Sequence, residues 1–105
     1  MRKERIVALS QTEIQGKLRT IPGWEMTKSK AIQKKFTLGN FKDALAFVNQ
    51  VGELAEKFDH HPDITINYNK VTLNLTTHSA GGLTSKDFDL ATQIEKIGKT
   101  EEDKA

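Results

Sequence analysis

The sequence predicts an α+β fold in which three helices cover one face of a single four-stranded antiparallel sheet. A long run of apolar residues at spacings of three and four, within 40–58, is typical of an amphipathic helix. Apolar and polar residues alternate on either side of it, in 31–38 and in 64–77, as half-buried strands do. The strand patterns come in pairs, which predicts two hairpins and the order α-β-β-α-β-β-α. The order of the strands within the sheet is left open.

Composition narrows the class of protein. A chain of 105 residues fits a single domain, 1–105, with one modest core. The net charge of +2 comes from mixed signs, which argues against a nucleic-acid-binding surface. The absence of cysteine excludes disulfides, thiol nucleophiles and iron–sulfur clusters. The apolar run at the start of the chain is too short for a signal peptide, and no stretch could span a membrane, so a cytoplasmic protein is expected.

The first elements are a helix and a hairpin. Ser10-Gln11-Thr12-Glu13 has the form of a capping box and predicts a helix at about 10–19. Pro22-Gly23 ends this helix in a turn. Two strands, 24–26 and 31–38, are then expected to pair with each other.

The central helix is predicted over 40–58, with Asn40 as its N-cap. Its apolar stripe is wide enough to serve both the sheet and a partner subunit, and Phe47 and Val51 are expected to face outward. The low apolar fraction of 36% agrees with a core completed by an oligomer interface. His60-His61-Pro62 is expected to end the helix, because the residue before a proline avoids the helical conformation.

A second hairpin follows the central helix. A turn at Asn69-Lys70 would pair Tyr68 with Val71, and the same register would bring His61 near His78. The third helix should begin at Thr84-Ser85-Lys86-Asp87, a second capping-box sequence, and run to Gly98. The charged tail, 99–105, is expected to fray.

The chemistry in this chain centres on His60, His61 and His78, which the hairpin is expected to gather at one corner. Histidine changes its charge near neutral pH and can both give and take protons. Paired histidines therefore suit the elimination of water. Carboxylates nearby can fix a tautomer, and Glu56, Asp59 and Asp87 are the candidates.

The same residues could also have purely structural or metal-binding roles. Adjacent histidines can simply favour the C-terminal end of a helix dipole, and Asp87 can serve as a helix cap alone. Trp24 fits a core position. Three histidines can also hold zinc, although neighbouring side chains in an extended segment point to opposite faces.

The histidines and their neighbours resemble the pterin-4a-carbinolamine dehydratase family. In this pattern Glu56 is followed by His60-His61-Pro62. Five residues then separate Pro62 from Tyr68, nine separate Tyr68 from His78, and eight separate His78 from Asp87. Further similarity in Gly23-Trp24, in Tyr68-Asn69-Lys70-Val71 and in Thr77-His78 extends it over nearly the whole chain.

The resemblance implies loss of water from a 4a-hydroxytetrahydropterin, giving the quinonoid dihydropterin, with no metal or organic cofactor. This reaction recycles tetrahydrobiopterin after aromatic amino acid hydroxylation, so a pterin is the implied substrate and a hydroxylase a pathway partner. The family also implies dimers joined edge to edge through their sheets, and tetramers joined through the long helix. Neither a nucleic acid nor a membrane is an expected direct partner.

The resemblance also assigns roles. The family's catalytic histidines correspond to His60, His61 and His78. Among them we assign the proton transfers to His60 and His78 and mainly a binding role to His61. Substrate contacts would come from Asp59-His60-His61 and from Thr76-Thr77-His78-Ser79. Glu56 and Asp87 would orient histidines, and Trp24 would line the pocket.

A binding-only role is the alternative. Animal members of the family bind a homeodomain transcription factor, and some degenerate members act as assembly factors for a carbon-fixing enzyme. The intact histidine set in this chain argues against binding as the sole role, although one surface can serve both catalysis and binding.

Overall fold

The computed structural model of the chain describes residues 8–98, and within them lie three helices and four strands in the predicted order. The helices are α1 (Gln11–Leu18), α2 (Phe41–Phe58) and α3 (Ser85–Ile97); the strands are β1 (Glu25–Met26), β2 (Ile32–Thr37), β3 (Asp63–Asn67) and β4 (Lys70–Leu75). A short 3₁₀ helix, His78–Ala80, joins β4 to α3. The predicted tail, 99–105, lies outside the described residues. None of the helices in the described part is long and apolar enough to cross a membrane.

The sheet is antiparallel throughout and has the order β1-β2-β4-β3. On the central strands, alternate residues are buried and pack with side chains from the helices: Ile32, Phe36, Val71, Leu73 and Leu75. The residues between them, such as Lys35 and Thr72, face the other side and are polar. The helices therefore cover one face of the sheet, and the predicted fold class is confirmed.

The predicted helix starts are confirmed. Ser10 and Glu13 exchange both hydrogen bonds of a capping box at α1. The Asn40 side chain accepts from the Asp43 N–H at 2.8 Å. Thr84 and Asp87 form the second capping box at α3, which fixes Asp87 in the first turn of that helix.

The expectation that Phe47 and Val51 face outward is wrong. They are 3% and 0% exposed, and the Phe47 ring lies 4.8 Å from the Phe36 ring, centroid to centroid. Positions spaced like Ala44, Phe47, Val51 and Ala55 share one helical face, and this face packs on the sheet. The exposed large apolar residues of α2 are instead Phe41 and Leu45, on the flank of that stripe.

The second hairpin has a register two residues away from the predicted one. Its turn is Tyr68-Asn69, so Ile66 pairs with Val71. The reason lies in a contact with the residue that follows β2: Asn69 Nδ2 donates to the Leu38 carbonyl at 2.9 Å, and the Leu38 N–H donates back to the Asn69 carbonyl. A shift of two residues keeps each side chain on its predicted face.

Strand β3 was expected to be half-buried, and this is also wrong. All five of its residues are exposed, including Ile64. The strand lies at the edge of the sheet, where it pairs with β4 on one side only.

Candidate active site

The end of α2 sets the position of the first two histidines. Pro62 was expected to end this helix. The helix ends earlier, at Phe58, because Asp59 takes a left-handed conformation with φ of 52°. The Asp59 N–H donates to the Glu56 carbonyl, and the His60 N–H donates to the Ala55 carbonyl at 3.0 Å. This is the hydrogen-bond pattern of a Schellman motif. The backbone of His60 is therefore held firmly against the last turn of the helix.

His60 and Asp87 form a buried pair. His60 Nε2 lies 2.5 Å from Asp87 Oδ1, with the two side chains 10% and 0% exposed. The other carboxylate oxygen, Oδ2, accepts from the Thr77 hydroxyl at 2.8 Å and from the Thr84 N–H at 2.9 Å. With Asp87 ionised, its carboxylate can only accept hydrogen bonds, so Nε2 of His60 is the donor in their contact. This leaves Nδ1 of a neutral His60 ring as the atom that can accept a proton.

His61 has a carboxylate partner too, but in solvent. His61 Nε2 lies 2.6 Å from Glu56 Oε2, while the side chains are 56% and 79% exposed. Such a pair directs the ring without removing it from water. The structure therefore pairs both adjacent histidines with the acids that were predicted to orient histidines.

The last four predicted contact residues, 76–79, divide into two pairs. The hydroxyls of Thr76 and Thr77 are both used internally, since Thr76 donates to the Lys30 carbonyl at 2.8 Å and Thr77 donates to Asp87. His78 and Ser79, in the 3₁₀ helix, are exposed. Because Thr77 and His60 share the Asp87 carboxylate, the chain does return to the corner where His60 lies, and His78 follows directly.

Two further predicted site residues, Asp59 and Trp24, differ in their surroundings. Asp59 is exposed, next to His60. Trp24 is buried in the core, where its Nε1 donates to Glu95 Oε2 at 2.9 Å and its ring meets Phe36 edge-on. Glu95 lies eight residues after Asp87 on α3, about 12 Å along the helix axis. The Trp24 contacts are thus about two turns of α3 away from the His60–Asp87 pair.

Sequence reasoning missed the part played by Thr84. Its backbone N–H holds Asp87, and its hydroxyl lies 2.8 Å from that of Thr77. The capping-box sequence at Thr84 was the available signal, because a reciprocal cap places these two residues in contact. For the zinc alternative, no group of three or more histidine, aspartate or glutamate side chains in residues 8–98 is arranged to hold a metal ion.

Comparison with known proteins gives one consistent result. The family model for pterin 4 alpha carbinolamine dehydratase matches residues 7–97. A relative from Picosynechococcus, named "Putative pterin-4-alpha-carbinolamine dehydratase", is 55% identical over 89 residues, covering 85% of this chain and 96% of the relative. A relative of the same name from Roseiflexus is also 55% identical, and the match covers 85% of this chain and 95% of that protein.

Solved structures agree with this comparison. A Brucella melitensis protein described as a transcriptional coactivator/pterin dehydratase superposes with a TM-score of 0.84 at 35% identity, covering 87% of this chain and 98% of the other. A pterin dehydratase-like RuBisCO assembly factor of the alpha-carboxysome has a TM-score of 0.63 at 19% identity, over 74% and 92% of the two chains, which concerns the fold alone. With the family model matched over most of its length and its relatives about half identical, the chain belongs to the pterin-4a-carbinolamine dehydratase family.

Proposed function

We propose that this chain is a hydro-lyase that removes water from a 4a-hydroxytetrahydropterin, giving the quinonoid dihydropterin in tetrahydrobiopterin recycling. The observation that carries the proposal is the buried His60–Asp87 pair, joined through Thr77 to the segment that bears His78. A histidine held by a buried carboxylate has a fixed ring orientation and one free nitrogen, as a general acid–base group requires. Membership of the family supplies the substrate class.

The reaction is balanced by proton transfer alone. The substrate loses its N5 proton and forms the C4a–N5 double bond, while the C4a–O bond breaks and the leaving hydroxyl takes a proton to become water. Electrons are conserved, so protein side chains can supply both transfers without a cofactor. His60, through Nδ1, and His78 carry the two transfers, and His61 binds the substrate.

The remaining residues form the binding site in this proposal. Asp59 and Ser79 are exposed next to the histidines and are available to a polar pterin edge. Glu56 and Asp87 orient His61 and His60, in keeping with the two short contacts. The reaction would follow an aromatic amino acid hydroxylase, whose product is the substrate named here.

Self-association is part of the same proposal. Phe41 and Leu45 on α2 are 47% and 41% exposed, and Ile64, Ile66 and Tyr68 are exposed on or beside the edge strand β3. Large apolar side chains grouped on a surface favour association. The two locations match the two interfaces implied by the family, so we propose a homodimer or homotetramer.

The exposed apolar groups also favour a second candidate function, a non-catalytic binding module. The Brucella protein that resembles this chain is described as a coactivator as well as a dehydratase. In that case α2 would bind another protein and the histidines would be dispensable. A measurement of dehydratase activity distinguishes the enzyme from the binding module.

Stopped-flow absorbance of a 4a-hydroxytetrahydropterin, with and without the protein, tests the dehydratase directly. We expect faster formation of the quinonoid product with the unchanged protein and no acceleration with a folded H60A/H78A double variant. Treatment with a chelator should leave the rate unchanged. Loss of rate on chelation, restored by zinc, would favour a metal site; no acceleration by the unchanged protein would favour the binding module.

A further inference from the structure

Thr77 has every polar group engaged inside the chain. Its hydroxyl donates to Asp87, and its backbone N–H donates to the Gly82 carbonyl at 3.1 Å. Its own carbonyl accepts from the N–H groups of Ala80 at 3.0 Å and Gly82 at 3.4 Å. The residue is 5% exposed. A substrate would therefore meet neither a free donor nor an accessible side chain at Thr77, although the residue lies within the predicted contact segment.

The hydroxyl of Thr84 completes a directed chain of hydrogen bonds. A threonine hydroxyl has one proton, and that of Thr77 goes to Asp87, so the proton between Thr77 and Thr84 must come from Thr84. The Thr84 oxygen in turn accepts from the Lys86 N–H at 3.2 Å. The Thr84 hydroxyl thus donates to the Thr77 hydroxyl, which in turn donates to the Asp87 carboxylate.

We infer that Thr77 is a positioning residue that fixes the Asp87 carboxylate, and through it the tautomer and orientation of His60, and is not a substrate contact. A carboxylate with two donors on Oδ2 cannot rotate without breaking both, so Oδ1 stays directed at His60 Nε2. Removing the Thr77 hydroxyl deletes one of these donors and leaves the Thr84 hydroxyl without its acceptor. Among residues 8–98 every buried side-chain nitrogen or oxygen already has a hydrogen-bond partner. None of them is therefore free to replace the donor that Asp87 would lose.

The test compares Thr77→Val, which keeps the shape but loses the hydroxyl, with Thr77→Ser, which keeps the hydroxyl. Its rate readout rests on the proposed dehydratase activity. We expect T77V to lower kcat by about 10-fold, as loss of an orienting partner typically does, with KM changed by less than about twofold. T77S should restore kcat. Thr92→Val is the matched control, because Thr92 lies on the same helix as Asp87 and its hydroxyl donates to the Phe88 carbonyl, away from the Asp87 network.

A second readout needs no substrate. The ¹⁵N resonances of the His60 ring report which nitrogen carries the proton, so they should show Nε2–H in the unchanged protein, move in T77V, and return in T77S. Unmoved His60 resonances in folded T77V would overturn the inference, as would a raised KM with unchanged kcat, which marks a substrate contact. If the unchanged protein shows no dehydratase activity, the proposed function fails while the ring resonances still decide the inference.

The unchanged protein provides a further check if T77V does not fold. Buried, hydrogen-bonded hydroxyl protons exchange slowly with water, so those of Thr77 and Thr84 should be observable by NMR. Their absence under conditions where buried amide protons are retained would overturn the directed chain.

Discussion

His60 and Asp87 lie 27 positions apart in the sequence, yet Nε2 of one is 2.5 Å from Oδ1 of the other, in a site where the carboxylate has no contact with solvent. His61 and Glu56 form a pair of nearly the same length, 2.6 Å, in water. The same two chemical groups therefore meet in two dielectric environments. Breaking a buried pair leaves a group that water cannot reach, whereas water replaces either partner of an exposed pair.

Asp87→Asn should consequently be far more damaging than Glu56→Gln. The amide NH₂ of asparagine would have to face either His60 or the donors from Thr77 and Thr84, so we expect a loss of about 2–4 kcal/mol in the free energy of unfolding. Glu56→Gln should change it by less than about 0.5 kcal/mol. Urea denaturation monitored by circular dichroism measures both. Equal losses for the two variants would contradict the distinction between the pairs.

Replacing either His60 or His78 by alanine should lower kcat more than it raises KM. General acid–base groups contribute about 10²–10⁴-fold, and the low end is expected here because the substrate loses water readily on its own. The double variant should cost less than the product of the single losses, because both residues serve one elimination. His61→Ala should act mainly on KM. Steady-state kinetics separates these effects.

Each histidine variant needs a folding control, since His60→Ala also removes a partner of the buried Asp87 carboxylate. Far-UV circular dichroism provides it. A folded H60A/H78A double variant with full activity would remove the catalytic assignment and leave the binding module.

Local sequence signals predicted the elements of this fold well. Ser10, Asn40 and Thr84 each begin a helix, because a cap depends only on residues three positions apart. The spacing of the histidines and Asp87 also identified the family. These features needed no knowledge of how distant segments pack.

The errors concern distant packing. The hairpin turn lies one residue earlier than predicted, which shifts the pairing register by two, and Asn69 at this turn bonds to Leu38 just after β2. The exposure of β3 depends on its place at the edge of the sheet, which the sequence left open. Phe47 was expected to face outward because the stripe of α2 is wide, and only its packing against Phe36 shows which part faces the sheet. The hydroxyl network of Thr77 and Thr84 likewise joins two segments that only the folded chain brings together.

Asp59 offers a way to separate backbone and side-chain roles. Its φ of 52° suits glycine and disfavours most other residues, with a cost of roughly 1–2 kcal/mol for a left-handed conformation. We therefore expect Asp59→Gly to be more stable than Asp59→Ala by about 1 kcal/mol, as measured by thermal melting. If the carboxylate also binds substrate, both variants should raise KM equally. An alanine variant at least as stable as the glycine variant would show that this end of α2 is not held in the left-handed form.

The capping box at α1 predicts a pH dependence. The hydrogen bond from the Ser10 backbone N–H, followed by that with the Ser10 side chain, lowers the pKa of Glu13 below its ordinary value of 4.5. Because the pKa is lower in the folded chain than in the unfolded one, the stabilisation is present above pH 4.5 and is lost as the pH falls through the lowered pKa. Glu13→Gln should therefore lose stability relative to the unchanged protein at neutral pH, and the difference should shrink on acidification. Urea denaturation across this pH range would show it; a difference that does not vary with pH would argue against an ionised cap.

Assembly can be tested on the corrected face of α2. Phe41 and Leu45 are the exposed large apolar residues of this helix, so Phe41→Asp or Leu45→Asp should weaken association through it while leaving the secondary structure intact. Phe47→Asp is the matched contrast: it places a charge against Phe36 in the core and should unfold the chain.

Sedimentation at micromolar concentration gives the mass of each species. A single species of 11.8 kDa for the unchanged protein would contradict self-association. If the protein associates but F41D and L45D do not change its mass, the exposed residues of β3 form the interface instead.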